Sequence, residues 1–128
     1  MEAVLLAVNG TLMRGLELND NLLAVGAEFV EETTTEPAYA LWSVDDRYPA
    51  MLRVREGGTA IAVEVWLVPL AGLAQILLQE PPGLCIGKIR LANDKEVLGV
   101  LGEPLTCEGQ QNITQWGGWR AYWQGKGD

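Results

Sequence analysis

The core of this protein is predicted from one stretch, Thr59-Ala60-Ile61-Ala62-Val63-Glu64-Val65-Trp66-Leu67-Val68. Its many β-branched residues predict a strand buried on both faces, and a single acid, Glu64, interrupts it. After Pro69, apolar residues recur at helical spacing from Leu70 to Glu80, and Pro81-Pro82-Gly83 then ends the helix. We therefore predict that this strand and this helix form the unit around which the core is assembled.

Several shorter strands are predicted on either side of this unit. Leu84 to Ala92 and Val97 to Glu103 form two strands joined by Asn93-Asp94-Lys95-Glu96, since Asn and Asp tolerate the left-handed backbone of a tight hairpin. The other predicted strands are 3–8, 28–35, 38–44 and 51–55, of which 28–35 fits an exposed edge. Many short strands and two helices favour an α+β fold.

One short helix and a disordered tail complete the predicted elements. Asn19 or Asp20 caps a helix that runs to about Val25, with Gly26 as its stop. Glycines in Gly125-Lys126-Gly127-Asp128 predict a disordered end. A single domain over residues 1–124 is therefore expected.

Composition limits the partners that this surface suits. The chain has 128 residues, 48% of them apolar, and a formal net charge of −8, which fits one core and repels phosphate backbones and anionic lipid. No nucleic acid or membrane partner is expected. The apolar opening, Met1 to Val8, is too short to span a membrane and carries Glu2 where a secretory signal carries a base, so it is predicted to be the first core strand.

The cysteine and histidine counts limit the chemistry. Cys85 and Cys107 are too few to cross-link a secreted scaffold, so a reducing cytoplasm is expected. The chain contains no histidine, which removes Ser-His and Cys-His pairs and the usual transition-metal ligand sets. We expect no metal and no cofactor. Acid or base catalysis would need a carboxylate with a raised pKa, or a Lys, Tyr or Cys.

Two further segments are candidate binding elements. The glycine-bracketed loop from Asn9 to Gly15 can present backbone N–H groups to an anion or carbonyl, or it is an ordinary turn. Near the end, Trp116, Trp119, Arg120 and Trp123 combine an apolar surface with a group that binds carboxylates, or the rings simply cover one end of the sheet.

Two strand carboxylates are candidates for proton transfer. Glu64 and Glu103 lie in or end apolar strands, where burial raises a pKa; a shift of about two units costs roughly 2.7 kcal/mol. If the face of Glu64 lines a barrel, its side chain points into a cavity. The alternative is a structural ion pair with one of three bases: Arg53, Arg90 or Arg120.

Three parts of the chain carry a family resemblance. They are Gly117-Gly118-Trp119-Arg120-Ala121-Tyr122 after Asn112-Ile113-Thr114, the Ala60 to Trp66 strand, and the opening Gly10 to Asn19. With them, the sequence resembles the C-terminal domain of allophanate hydrolase over nearly its whole length. The resemblance implies a gamma-glutamyl cyclotransferase-like fold, a small mixed β-barrel with a few outer helices. A chain of 128 residues has no room for a Ser-Ser-Lys amidase core, so allophanate hydrolysis itself is not expected.

The resemblance also implies site residues. Asn9-Gly10-Thr11-Leu12 is similar to the cyclotransferase loop that holds the substrate's amino acid end, with Asn in place of Tyr. By element order, Glu80 falls near the position of the catalytic glutamate. Glu80 is thus the inherited acid/base candidate. Beside the resemblance, the residues themselves predict that Gly10 to Leu12 supplies N–H donors and that Glu64 or Glu103 forms a pocket wall, with Arg120 as the anion partner.

Three functions follow as expectations. The first is a free-standing relative that binds a small carboxylate- or amide-bearing nitrogen metabolite in its barrel, with weak or unknown catalysis. The second is a gamma-glutamyl cyclotransferase that uses Glu80. The third is a non-enzymatic module that docks on a separate amidase or on a copy of itself through Trp116 to Trp123.

Overall fold

The computed structural model describes residues 2–127, and within that range it is an α+β fold of eight strands and four α-helices. The strands are β1 (Ala3–Val8), β2 (Glu28–Thr34), β3 (Tyr39–Val44), β4 (Tyr48–Arg53), β5 (Ala62–Pro69), β6 (Leu84–Arg90), β7 (Glu96–Gly102) and β8 (Gln111–Asn112). The helices are α1 (Asn19–Ala24), α2 (Leu70–Gln79), α3 (Pro104–Cys107) and α4 (Trp119–Gly127), with a 3-10 turn at Thr114–Trp116.

The predicted central strand is β5, and it is buried as expected. The larger sheet has the order β2-β5-β1-β7-β6, so β5 pairs antiparallel with β1 on one side and with β2 on the other. The parallel pairing of β1 with β7 joins this unit to the predicted β6–β7 hairpin, whose turn has Asp94 at φ +69°. The edge strand β2 is exposed, as its mixed acidic and apolar sequence predicted.

The strands do not close into a true barrel, which corrects part of the expected architecture. Among residues 2–127, the two edges of the larger sheet meet only where Thr35 bridges Leu91, with Glu36 N–H donating to Arg90 O at 2.9 Å and Ala92 N–H to Thr34 O at 2.9 Å. A second sheet, β4-β3-β8, packs against β7. The fold is therefore a sheet curled far enough to touch itself at one end, with a smaller sheet beside it.

Apolar side chains fill the interior between the sheets. The fully buried members include Leu6, Leu22, Leu41, Met51, Ile61, Ile89 and Ile113. These residues form one continuous cluster with β5 and with the ring of Trp119. Among the described residues, the interior therefore holds no cavity of the kind considered for the Glu64 face of a barrel, because hydrocarbon fills it.

Two helices differ from their predictions. Asn19 lies within α1 instead of capping it, since its buried Nδ2 donates to Leu12 O at 2.9 Å; Gly26, at φ +80°, ends this segment as predicted. At the other end, α4 includes residues 125–127, which were expected to be disordered. Gly125 packs against the Trp116 ring so closely that a Cβ would collide with it. Asp128 lies outside the described residues.

Within residues 2–127, no helix is both long and apolar enough to cross a membrane. Cys85 and Cys107 are both free thiols. Burial raises the pKa of each thiol, in Cys85 together with the nearby charge of Glu103. Neither is thereby activated as a nucleophile.

Candidate functional site

A cavity of about 270 Å³ lies where three segments meet, and we call it the Glu80 cavity. The segments are the loop after β1, the β3–β4 turn (residues 45–47) and the residues that follow α2. Its polar lining residues are Asn9, Thr11, Glu17, Arg47, Tyr48 and Glu80. The cavity sits beside the packed core rather than inside a barrel.

In the loop from Asn9 to Leu12, the carbonyl groups of residues 10–12 accept hydrogen bonds, whereas two N–H groups remain unpaired. Gly10 O accepts from Met13 N–H at 3.0 Å, Thr11 O accepts from Leu18 N–H at 2.9 Å, and Leu12 O accepts from Asn19 Nδ2 at 2.9 Å. In the part of the chain that the structure describes, the N–H groups of Thr11 and Leu12 have no acceptor. The loop is therefore fixed through its carbonyl groups, and Thr11 and Leu12, which line the cavity, keep unpaired N–H groups.

Contacts to β7 and to β4 hold the start of this loop in place. Asn9 is buried, and its Nδ2 donates to Val100 O at 2.9 Å and approaches Met51 Sδ at 3.8 Å. A Cβ on Gly10 would lie 2.5 Å from Pro49 Cδ, so only glycine fits there. The Nδ2 group of Asn9 thus serves the fold and is not free to bind a ligand.

Glu80 follows α2 in extended conformation and lies on the same cavity as the loop. Its side chain is partly buried and has neither an ion pair nor a hydrogen bond among residues 2–127. Because burial disfavours the charged form, the pKa of Glu80 is raised to about 6. Such a carboxyl exchanges a proton near neutral pH, as an acid–base group must.

Glu64 lies elsewhere, in a network that we call the Glu64 cluster: Arg14, Glu64, Trp66 and Arg120. Oε1 accepts from Arg14 N–H at 2.9 Å and Trp66 Nε1 at 3.2 Å, while Oε2 accepts from Arg14 Nε at 3.3 Å and Arg120 Nη2 at 3.1 Å. Burial alone would raise the pKa of Glu64, but these hydrogen bonds outweigh it and hold the pKa below its usual value. Glu64 is thus the ion-paired carboxylate of the structural alternative and does not line the Glu80 cavity.

The other predicted site residues are also outside the cavity. Arg120 donates to Arg14 O at 2.5 Å besides Glu64, so it ties α4 to the loop after β1 and does not face the cavity as the expected anion partner. Glu103 is exposed immediately before α3. Of the suggested partners of Glu64 only Arg120 contacts it, since Arg53 pairs with Glu36 at 3.9 Å.

Sequence reasoning missed three polar lining residues, Glu17, Arg47 and Tyr48. Arg47 and Tyr48 belong to a polar connection between two strands, and the sequence pattern does not predict where the side chains of such a connection lie. The one available signal was the Asp45-Asp46 pair, since Asp tolerates the left-handed backbone of a hairpin that brings Arg47 back beside the loop. Residues 2–127 contain no cluster of three metal-ligating side chains.

This two-sheet α+β fold is that of gamma-glutamyl cyclotransferase-like proteins. An aig2-like protein from Mus musculus shares it with a TM-score of 0.63 at 18% identity, over 83% of this chain and 80% of that one. At that identity the likeness concerns the fold alone.

The chain belongs to the allophanate hydrolase C-terminal domain family, whose model matches residues 4–124. Urea amidolyase of Saccharomyces cerevisiae is 30% identical over 95% of this chain, which spans 7% of that protein. Allophanate hydrolase of Kluyveromyces lactis has a TM-score of 0.91 at 28% identity, over 98% of this chain and 22% of its own. A uropathogenic E. coli-specific protein has a TM-score of 0.95 at 56% identity, over 97% of this chain and 98% of its own.

Proposed function

We propose that the protein binds a small carboxylate- or amide-bearing nitrogen metabolite in the Glu80 cavity. The observation that carries the proposal is the union, on one cavity, of free N–H donors at Thr11 and Leu12 with a partly buried carboxyl at Glu80. Donors suit the oxygens of such a ligand, and the carboxyl suits its N–H groups. The family's place in urea-degrading enzymes supports a role in nitrogen metabolism.

A titration tests this proposal. We expect N-carbamoylglycine and similar small amides and acids to raise the melting temperature and to shift the backbone amide resonances of residues 9–12. Glu80→Gln should weaken the binding, while Glu56→Gln, on an exposed turn away from the cavity, should not. No response from a broad panel of such compounds would contradict the proposal.

The raised pKa of Glu80 favours a second candidate, a gamma-glutamyl cyclotransferase. In that reaction the substrate's α-amine attacks its γ-amide carbonyl, a C–N bond forms, and the amine of the broken amide leaves as 5-oxoproline is produced. Glu80 accepts the proton from the attacking amine and delivers it to the leaving amine. Turnover of gamma-glutamyl amines that vanishes in Glu80→Gln would support this candidate, and equal turnover in the variant would remove Glu80 from the mechanism.

The exposed rings of Trp116 and Trp123 favour a docking role for α4 as a third candidate, with a separate amidase or a second copy of this chain as partner. Trp119 cannot test that role because it is buried. Light scattering on wild type and Trp123→Ala distinguishes a self-associating protein, which loses mass in the variant, from one whose mass is unchanged.

The two free thiols support a reducing compartment such as the cytoplasm as the place where the protein works.

A further inference from the structure

We propose that Arg47 binds the ligand's carboxylate in the Glu80 cavity, and that Asp46 and Tyr122 are positioning residues that hold it there. This inference rests on the function proposed above and gives its ligand a class: a small acid that also carries N–H groups.

What distinguishes Arg47 is that it is an unpaired arginine on the wall of the Glu80 cavity. Arg14, Arg53 and Arg120 each pair with a glutamate. Arg47, like Arg55 and Arg90 outside the cavity, has no side-chain ion pair or hydrogen bond among residues 2–127. It lines a cavity in a chain that has 17 acids and nine bases. A guanidinium offers a planar fork of donors that matches a carboxylate, and the free N–H groups of Thr11 and Leu12 lie on the same cavity.

The acids of the cavity decide what else the ligand must carry. Glu17 and Glu80 also line it, so an anion with no donors would meet two acceptors that it cannot satisfy. A ligand with amine, amide or ureido N–H groups in addition to its carboxylate gives each of these groups a partner. Amino acids and ureido acids meet this requirement, whereas simple carboxylates do not.

The β3–β4 turn that carries Arg47 has an unusual backbone. Asp45 and Asp46 have φ values of +53° and +57°, and Arg47 N–H donates to Val44 O at 2.9 Å. Two successive left-handed residues are unfavourable for side chains larger than glycine unless neighbouring contacts hold them.

Those contacts come from β3 itself, from Gln110 before β8 and from α4. Asp46 Oδ1 accepts from Ser43 Oγ at 2.5 Å and from Tyr122 Oη at 2.6 Å, and Lys126 Nζ lies 3.3 Å from Oδ2. Gln110 Oε1 accepts from Asp45 N–H at 3.0 Å. Helix α4 thereby fixes the turn, and the turn sets where Arg47 lies.

Isothermal titration of the full chain with N-carbamoylglycine and with its neutral amide, N-carbamoylglycinamide, tests the carboxylate assignment. We expect wild type to prefer the acid, and Arg47→Ala to weaken binding of the acid about 10- to 100-fold, as loss of a charged hydrogen bond implies, with little change for the amide. Arg55→Ala, an exposed arginine outside the cavity, is the matched control and should change neither affinity.

Tyr122→Phe tests the positioning role, since it removes only the hydroxyl, whose partners are Asp46 Oδ1 at 2.6 Å and Gln111 Oε1 at 3.3 Å. We expect a part of the preference for the acid to be lost in Tyr122→Phe and no further loss when the change is made in Arg47→Ala. A merely structural effect would instead weaken both ligands and would persist in the double variant.

The possible failures are distinct. If both compounds bind and Arg47→Ala keeps the preference for the acid, or if wild type shows no such preference, the Arg47 assignment is wrong and the proposed function stands. If wild type binds neither compound, the Arg47 assignment and the ligand class are wrong; if the broader panel also fails, so is the proposed function. If the effects of Tyr122→Phe and Arg47→Ala simply add, the positioning role is wrong.

Discussion

At the scale of single residues, the two buried glutamates differ in how their charge is compensated. Glu64 is 2% exposed, and every one of its contacts favours the ionised form. Glu80 is less buried, yet no described side chain neutralises it, so its pKa rises. The first arrangement stabilises a fold, and the second leaves a carboxyl ready to meet a ligand.

The raised pKa of Glu80 predicts a pH-dependent stability. The contribution of this group is greatest below the unfolded pKa, near 4.5, and is lost as the pH rises through about 6, because the folded state must then ionise a buried carboxyl. Glu80→Gln should therefore be more stable than wild type by about 2 kcal/mol at pH ~8, with the difference lost near pH ~4. Urea denaturation at both pH values measures this. A difference independent of pH would show that the pKa is not raised.

Removing the Glu64 carboxylate should be costly. Glu64→Ala removes the acceptor of the Arg14 backbone N–H and of the Trp66 ring N–H, and it removes one partner of each guanidinium. Arg14 and Arg120 keep their contacts to Glu32 and to Arg14 O, and their half-exposed side chains regain water. We expect a loss of about 3 kcal/mol in the free energy of unfolding, at the lower end for a broken buried pair. Glu32→Ala, which removes an exposed partner of Arg14, should cost less than about 1 kcal/mol. Comparable losses in the two variants would contradict the account of the cluster.

Single-residue roles were the hardest part to predict from the sequence. The burial of Glu64 followed from its apolar strand, but its partner Arg14 lies 50 positions away and gave no local signal. Arg120 was correctly suggested as a partner of Glu64, and the same contact takes it away from the ligand cavity. Which arginine faces which carboxylate depends on tertiary placement, which a linear pattern does not contain.

At the scale of elements, the strand and helix order was predictable because each element carries its own pattern. The spacing of apolar residues, together with Pro and Gly as breakers, correctly predicted β5, α2 and the β6–β7 hairpin. β4 begins at Tyr48 rather than at Met51, because pairing of Val44 with Tyr48 extends the hairpin past Pro49. Pairing with β3 therefore makes the first residues of β4 a strand, although their polar sequence predicted a connecting segment.

The close packing of Gly10, in the loop after β1, against Pro49 predicts that a larger residue there moves the loop. In Gly10→Ala the new Cβ meets Pro49 at 2.5 Å, so the loop must move, which should cost about 1–3 kcal/mol and weaken ligand binding. Gly15→Ala is the control: Gly15 has φ +75° and nothing near its Cβ position, so strain of about 1 kcal/mol should arise without displacing the cavity wall. Unfolding and titration of both variants measure this, and unchanged ligand affinity in Gly10→Ala would contradict it.

At the scale of the whole molecule, the family resemblance predicted the fold, while the arrangement of its sheets required the structure. The residues that resemble the family gave the fold class, and the family match over residues 4–124 confirms it. Barrel closure depends on how far the sheet curls, and in the described part of the chain only Thr35 and Leu91 bridge its edges. Because the sheet does not close, a ligand site inside a barrel is not formed. The cavity lies instead where the loop after β1, the β3–β4 turn and the end of α2 meet.

The C-terminal helix belongs to the same core as the sheets. Trp119 is 5% exposed within the main apolar cluster, and its ring packs on Tyr122 at 5.8 Å. Trp119→Ala should destabilise the whole protein by about 3–5 kcal/mol, whereas Trp123→Ala, at a site 39% exposed, should cost clearly less. Thermal unfolding checks both. A mild effect of Trp119→Ala would mean that α4 is an appendage rather than part of the core.

The central claim is that the space between the Asn9–Leu12 loop, the β3–β4 turn and Glu80 is a ligand site. A crystal structure grown with N-carbamoylglycine tests it most directly. The account predicts the compound in the Glu80 cavity, its carboxylate against Arg47 and its N–H groups toward Glu80. A structure in which the compound binds elsewhere, or in which this cavity collapses onto its own side chains, would contradict it.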